Sequence, residues 1–141
     1  MFKRRATALI AAVFMFMSMT VSGFAAVGNG GETSSPNYLY TKEANVKLSI
    51  SNGTATATST IKGYPGQTTK IGIYMYLEKY NENRHNWDTI RSWNKTVNGA
   101  SGELEKSTSV SSGIYRVRTS FWVYAGSKSE NITRYSSNVI C

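Results

Sequence analysis

A chain of 141 residues, 40% hydrophobic and 17% charged, is long enough to bury one core and too apolar to belong with disordered polyelectrolytes. Its formal charge of +8, from 16 basic and 8 acidic residues, biases it towards anionic partners. The single cysteine, Cys141, excludes an intramolecular disulfide, and together with the single histidine, His85, it is too little for a His/Cys zinc site.

In chain order, Met1-Phe-Lys-Arg-Arg5 is a positive leader start, and Ala8 to Met17 is an apolar core. Gly23-Phe24-Ala25 offers small residues at the −3 and −1 positions of a signal-peptidase site. The expectation is a helical signal peptide over 1–25, cleaved after Ala25 or, as second choice, after Ala26, and a secreted, extracellular mature protein. The leader holds three of the bases (Lys3, Arg4, Arg5) and no acid, so the remainder carries a formal +5. After signal removal no stretch approaches the ~20 apolar residues of a membrane span. Export also points away from nucleic acid.

Residues 26–43, opening with a Gly- and Ser-rich run, read as a flexible lead-in, and 44–141 as a β-sandwich domain. Asn45 to Ile50 alternates with Val46, Leu48 and Ile50 on one face, and Asn52-Gly53 is a two-residue hairpin turn. Thr54 to Ile61 returns with Ala55, Ala57 and Ile61 inward and threonines outward. Lys70 to Tyr80 places Ile71, Ile73, Met75 and Leu77 on one face and Tyr74, Tyr76 and Glu78 on the other. Trp87 to Thr96 is a return strand in which Trp87, Ile90 and Trp93 recur every third residue, a pattern that a bulge near Thr89 reconciles. A short polar strand runs from Glu103 to Val110. Gly113 to Ala125 then alternates Tyr115, Val117, Thr119, Phe121 and Val123 against Arg116, Arg118, Ser120, Trp122 and Tyr124. Ser127 to Glu130 reads as a turn and Ile132 to Ile140 as the closing strand.

About seven short strands with regular turn signals and no helix after the leader specify an all-β, antiparallel, immunoglobulin-like or fibronectin-III-like sandwich. Val110-x-x-Gly113-x-Tyr115-x-Val117 matches the entry into the sixth strand of such domains, where the tyrosine hydroxyl ties back to the preceding loop. The disulfide pair and core tryptophan of antibody domains are absent, which favours the fibronectin-like topology.

Tyr76-Leu-Glu-Lys-Tyr80, Trp87-x-x-Ile90-x-x-Trp93, Val110-x-x-Gly-x-Tyr-Arg-Val117 and Tyr124-Ala-Gly-Ser-Lys-Ser-Glu130 follow one another at short spacings. Together, over about Val46 to Val139, they resemble small secreted proteins of Gram-positive bacteria that carry a signal peptide and a single β-domain of unknown function. The resemblance implies fold and compartment, and no catalytic residues.

Enzyme chemistry finds little footing. His85 lies in an Asn-rich loop with no serine singled out beside it, and Glu103 and Glu105, though on one side of a strand, read as solvated carboxylates. No catalytic residue, cofactor or metal is expected. Asn52-Gly-Thr, Asn94-Lys-Thr and Asn131-Ile-Thr are read as chance sequons.

A surface is better founded. The strands at 70–80 and 113–125 are neighbours in such a sandwich, so Tyr74, Tyr76, Arg116, Arg118, Trp122 and Tyr124 share one outer face beside Glu78. Aromatic planes stack on sugar rings, and guanidiniums hold carboxylate or phosphate in bidentate fashion. The expected function is non-catalytic binding of an anionic or neutral cell-wall or extracellular glycan, or of a protein partner. The alternative is a cationic antimicrobial or toxin acting on cell envelopes, which size, charge and Trp/Tyr content permit.

Overall fold

The computed structural model describes residues 26–30, as backbone, and 38–141; the expected signal peptide over 1–25 lies outside them. Among the described residues nine strands follow in order: β1 (Ala26–Gly30), β2 (Thr41–Ser51), β3 (Thr54–Gly63), β4 (Lys70–Asn81), β5 (Asn86–Val97), β6 (Ser101–Ser109), β7 (Ile114–Ala125), β8 (Lys128–Tyr135) and β9 (Val139–Ile140). They form two antiparallel sheets, ordered β1-β2-β3-β6 and β5-β4-β7-β8, with β9 continuing along β7. This is the immunoglobulin/fibronectin-III-like sandwich that the alternation specifies, and no described residue is helical.

The core is the meeting of two alternating patterns. Val46, Leu48, Ile50, Ala55, Ala57, Ile61 and Leu104 point in from the first sheet; Ile71, Ile73, Met75, Leu77, Val117, Phe121, Val123 and Ile132 point in from the second. All are buried, because a strand with one apolar face has no other way to remove that face from water. The Asn52-Gly53 turn closes the β2–β3 hairpin with both residues at positive φ, 50° and 71°, the conformation this dipeptide tolerates best. Tyr115 is buried and its hydroxyl donates to the Ser111 carbonyl at 2.7 Å, the expected tie to the preceding loop.

Two polar side chains sit in this core as a matched pair. Ser59 from β3 and Thr119 from β7 are fully buried and share a 2.7 Å hydroxyl contact across the sheets, and the Ser59 hydroxyl also reaches Met75 Sδ at 3.1 Å. Thr119→Val alone strips one partner and is expected to cost about 1–2 kcal/mol in urea denaturation. The double variant Ser59→Ala/Thr119→Val removes both and is expected to cost markedly less, which exposes the coupling.

Three boundaries differ from the sequence reading, each through a partner distant in sequence. Ala26–Gly30, inside the expected lead-in, is a strand on β2, in register Ala26 with Ile50. Residues 38–41 are also held: the Glu130 carboxylate accepts the Leu39 and Tyr40 N–H groups and the Thr41 hydroxyl at 2.8–2.9 Å, and Arg134 lies over the Tyr38 ring. That same Glu130 belongs to β8, so the turn expected over 127–130 shrinks to Gly126-Ser127. The closing strand, finally, breaks between β8 and β9, where Ser136 takes over the ladder. Its N–H donates to the Val117 carbonyl, and its hydroxyl accepts the Val117 N–H at 2.8 Å.

The margin of the second sheet is β5, whose pairing with β4 slips by one residue between Leu77/Arg91 and Glu78/Thr89 and leaves Ile90 as the bulged residue. The slip reverses the phase of the strand. Trp93, opposite Met75, packs on the core, while Trp87, opposite Tyr80, stands on the outer face; without the bulge both would share one face. Beyond the bulge Arg91 and Lys95 point towards the inner side of the margin, where Lys95 Nζ donates to the Glu103 carbonyl of β6 at 3.0 Å.

Candidate functional site

The outer face of the second sheet follows from the β4–β7 register. Lys70 lies opposite Tyr124, Gly72 opposite Trp122, Tyr74 opposite Ser120, Tyr76 opposite Arg118 and Glu78 opposite Arg116. Strand β8 adds Tyr135 beside Arg118, Thr133 beside Ser120 and Asn131 beside Trp122. All six sequence-derived positions, Tyr74, Tyr76, Arg116, Arg118, Trp122 and Tyr124, therefore share this face.

The face has two halves. In the cationic half, Glu78 lies beneath two guanidiniums: Arg116 Nε donates to Oε2 and Arg118 Nε to Oε1, both at 2.7 Å. Aromatic rings cover the arginines in turn. The Arg116 guanidinium lies 4.2 Å from the Trp87 ring centre and 4.6 Å from that of Tyr135, and Arg118 lies 4.3 Å from that of Tyr76. Trp87 is braced edge-on by Tyr80 at 5.3 Å. Cation–π contact and charge-assisted hydrogen bonding thus fix both guanidiniums from below and from the sides. Glu78 is only 4% exposed, although it lies on the side that faces water.

The other half is aromatic and open. Gly72 is the reason: a Cβ there would come within 3.1 Å of Tyr74 Cε2 and 3.7 Å of Trp122 Cβ, so the Tyr74 ring lies over the backbone at a place where any side chain would lift it. Tyr74 and Trp122 remain 39% and 41% exposed, and Tyr135, nearer the arginines, 44%. Between the halves the Asn131 amide donates to Ser120 Oγ at 2.7 Å and to the Phe121 carbonyl. At the far end Lys70 Nζ sits 4.3 Å above the Tyr124 ring.

Sequence reasoning missed Tyr135 and Trp87 as members of this face. Tyr135 was hidden in an unbroken closing strand, and Trp87 by the phase reversal at Ile90. The residues weighed for catalysis are scattered. His85 occupies a turn at φ 51°, Glu103 is exposed on β6, and Glu105 accepts a hydrogen bond from Thr58. Asp88 is held below the usual carboxylate range, first by the Asn81 amide and then by Arg84, whose guanidinium grips both carboxylate oxygens across the β4–β5 turn. Among the described residues no cluster of His, Cys, Asp or Glu could hold a metal ion.

Fold and site together describe an antiparallel sandwich that presents a flat aromatic and arginine-bearing sheet face. No protein-family model and no curated protein matches the sequence. Among solved structures, a catalytically inactive OgpA from Akkermansia muciniphila in complex with an O-glycopeptide (glycodrosocin) substrate is similar, at a TM-score of 0.38 and 14% identity. The similarity covers 85% of this chain and 32% of that one, so the chain spans about a third of its length.

Proposed function

We propose that this protein is a secreted, non-catalytic binding module that takes a cell-surface or extracellular glycan on the outer face of its second sheet. One observation carries the reading: Tyr74 lies across Gly72 beside Trp122, and both rings stay about two-fifths exposed. Large aromatics left open on a firm sheet are unfavourable for solubility alone, and an open ring face is what a sugar's apolar face stacks on. The neighbouring Ser120, Asn131 and Thr133 supply groups that hydrogen-bond sugar hydroxyls.

The test is a glycan array followed by calorimetry on the glycans retained. Trp122→Ala and Tyr74→Ala are each expected to weaken binding about tenfold or more while leaving the unfolding transition within about 1 kcal/mol. Gly72→Val, which lifts the Tyr74 ring without removing it, is expected to weaken binding in the same direction. Retention of a protein in place of any glycan, or dye leakage from anionic vesicles, would overturn the reading in favour of a protein-binding or membrane-active role.

A further inference from the structure

The cationic half of the face bears on the charge of the ligand. Each guanidinium has five N–H donors and uses Nε on Glu78; the Nη donors of Arg116 and Arg118 have no hydrogen-bond acceptor among the described residues. The two side chains are 24% and 31% exposed, so these donors are within reach of solvent. With Nε anchored and the faces covered by Trp87, Tyr135 and Tyr76, each Nη pair is a fork whose direction is set before any ligand arrives.

The charge around the forks is one-sided. Among the outward positions of β4, β5, β7 and β8, Glu78 is the one carboxylate and its side chain is 6% exposed; the third cation, Lys70, stands at the far end of the face over Tyr124. An approaching molecule therefore meets two cations at the arginine end, the open rings of Tyr74 and Trp122 in the middle and Lys70 beyond them.

We infer that the ligand is an acidic saccharide. Its carboxylate is taken by the Arg116 and Arg118 forks, and a neighbouring sugar ring stacks on Tyr74 and Trp122. Four residues of extended strand, roughly 13 Å, separate Arg118 from Trp122, a span that a short oligosaccharide bridges. The inference rests on the glycan-binding reading of the same face and adds the charge of the ligand to it.

The experiment compares, for the unaltered protein, a panel of uronate- and sialate-bearing oligosaccharides, each beside its carboxyl-reduced counterpart. At least one acidic member is expected to bind about tenfold or more tightly than its reduced form, with the ratio shrinking as salt is raised. Arg118→Gln is expected to bring that ratio close to one, and Arg118→Lys, which keeps the charge and loses the fork, to restore it only in part. Equal affinity for the acidic and reduced members refutes the acidic class and leaves the glycan reading standing. Absence of binding to every member and to every glycan on the array refutes both. Binding to phosphatidylglycerol vesicles that is unaffected by Trp122→Ala refutes the inference in favour of a lipid surface. The comparison of ligands needs no variant, so a poorly folded Arg118→Gln leaves it intact.

Discussion

Glu78→Ala is expected to destabilise the fold by about 3 kcal/mol, read as a lowered midpoint in urea denaturation. Glu78 is 4% exposed, and its carboxylate accepts the Nε–H of Arg116 and of Arg118 at 2.7 Å each. Its removal leaves two like charges about 7 Å apart on one strand, each short of an acceptor. Water reaches both arginine side chains, so the loss stays at the lower end of what breaking a buried pair costs. Glu78→Gln keeps one acceptor oxygen and is expected to fall between the two. A midpoint unmoved by either change would show the arginines to be carried by their rings alone. The same variants are expected to lose the proposed preference for carboxylated ligands, since the forks then have no anchor.

Phe121→Ala is expected to cost about 4 kcal/mol, measured in the same way. Phe121 is fully buried on β7, flanked by Ile73 of β4 and Ile132 of β8, where the two sheets press on each other. Both neighbouring strands hold the site in the middle of their ladders, which places the cost in the upper range for such truncations. Phe121→Leu refills most of the volume and is expected to cost less than half as much. Because β7 sends Phe121 inward and Trp122 outward, the alanine variant is also expected to weaken the proposed glycan binding at temperatures where it remains folded. A loss below 1 kcal/mol would mean that the core closes around the gap.

Much of this fold is legible in local alternation. Val46, Leu48 and Ile50, or Ile71, Ile73 and Met75, announce their buried side because a strand's period is two and a solvated sandwich has one dry face per sheet. Tyr115 is legible too, since glycine, tyrosine and valine at fixed offsets describe a corner whose geometry is local. The β4 and β7 members of the outer face are readable for the same reason, while Trp87, Tyr135 and the contacts within the face are not. Nothing adjacent to Glu78 in sequence says that Arg116, 38 residues on, will cover it, because cross-strand partners are set by register. The strand at Ala26–Gly30 has no alternation to read and is placed by the neighbouring edge of β2. The break at Ser136 is invisible for a related reason: a serine hydroxyl stands in for a backbone carbonyl only once Val117 is opposite it.

The kinked rim at Ile90, with Arg91 and Lys95 turned inward behind it, has a consequence for behaviour at high concentration. A second molecule that tried to extend the sheet there would meet a strand bent out of line and two charges it could not solvate. Edge-to-edge pairing of two molecules through β5 is thereby disfavoured, so crowding alone does not join them along this rim.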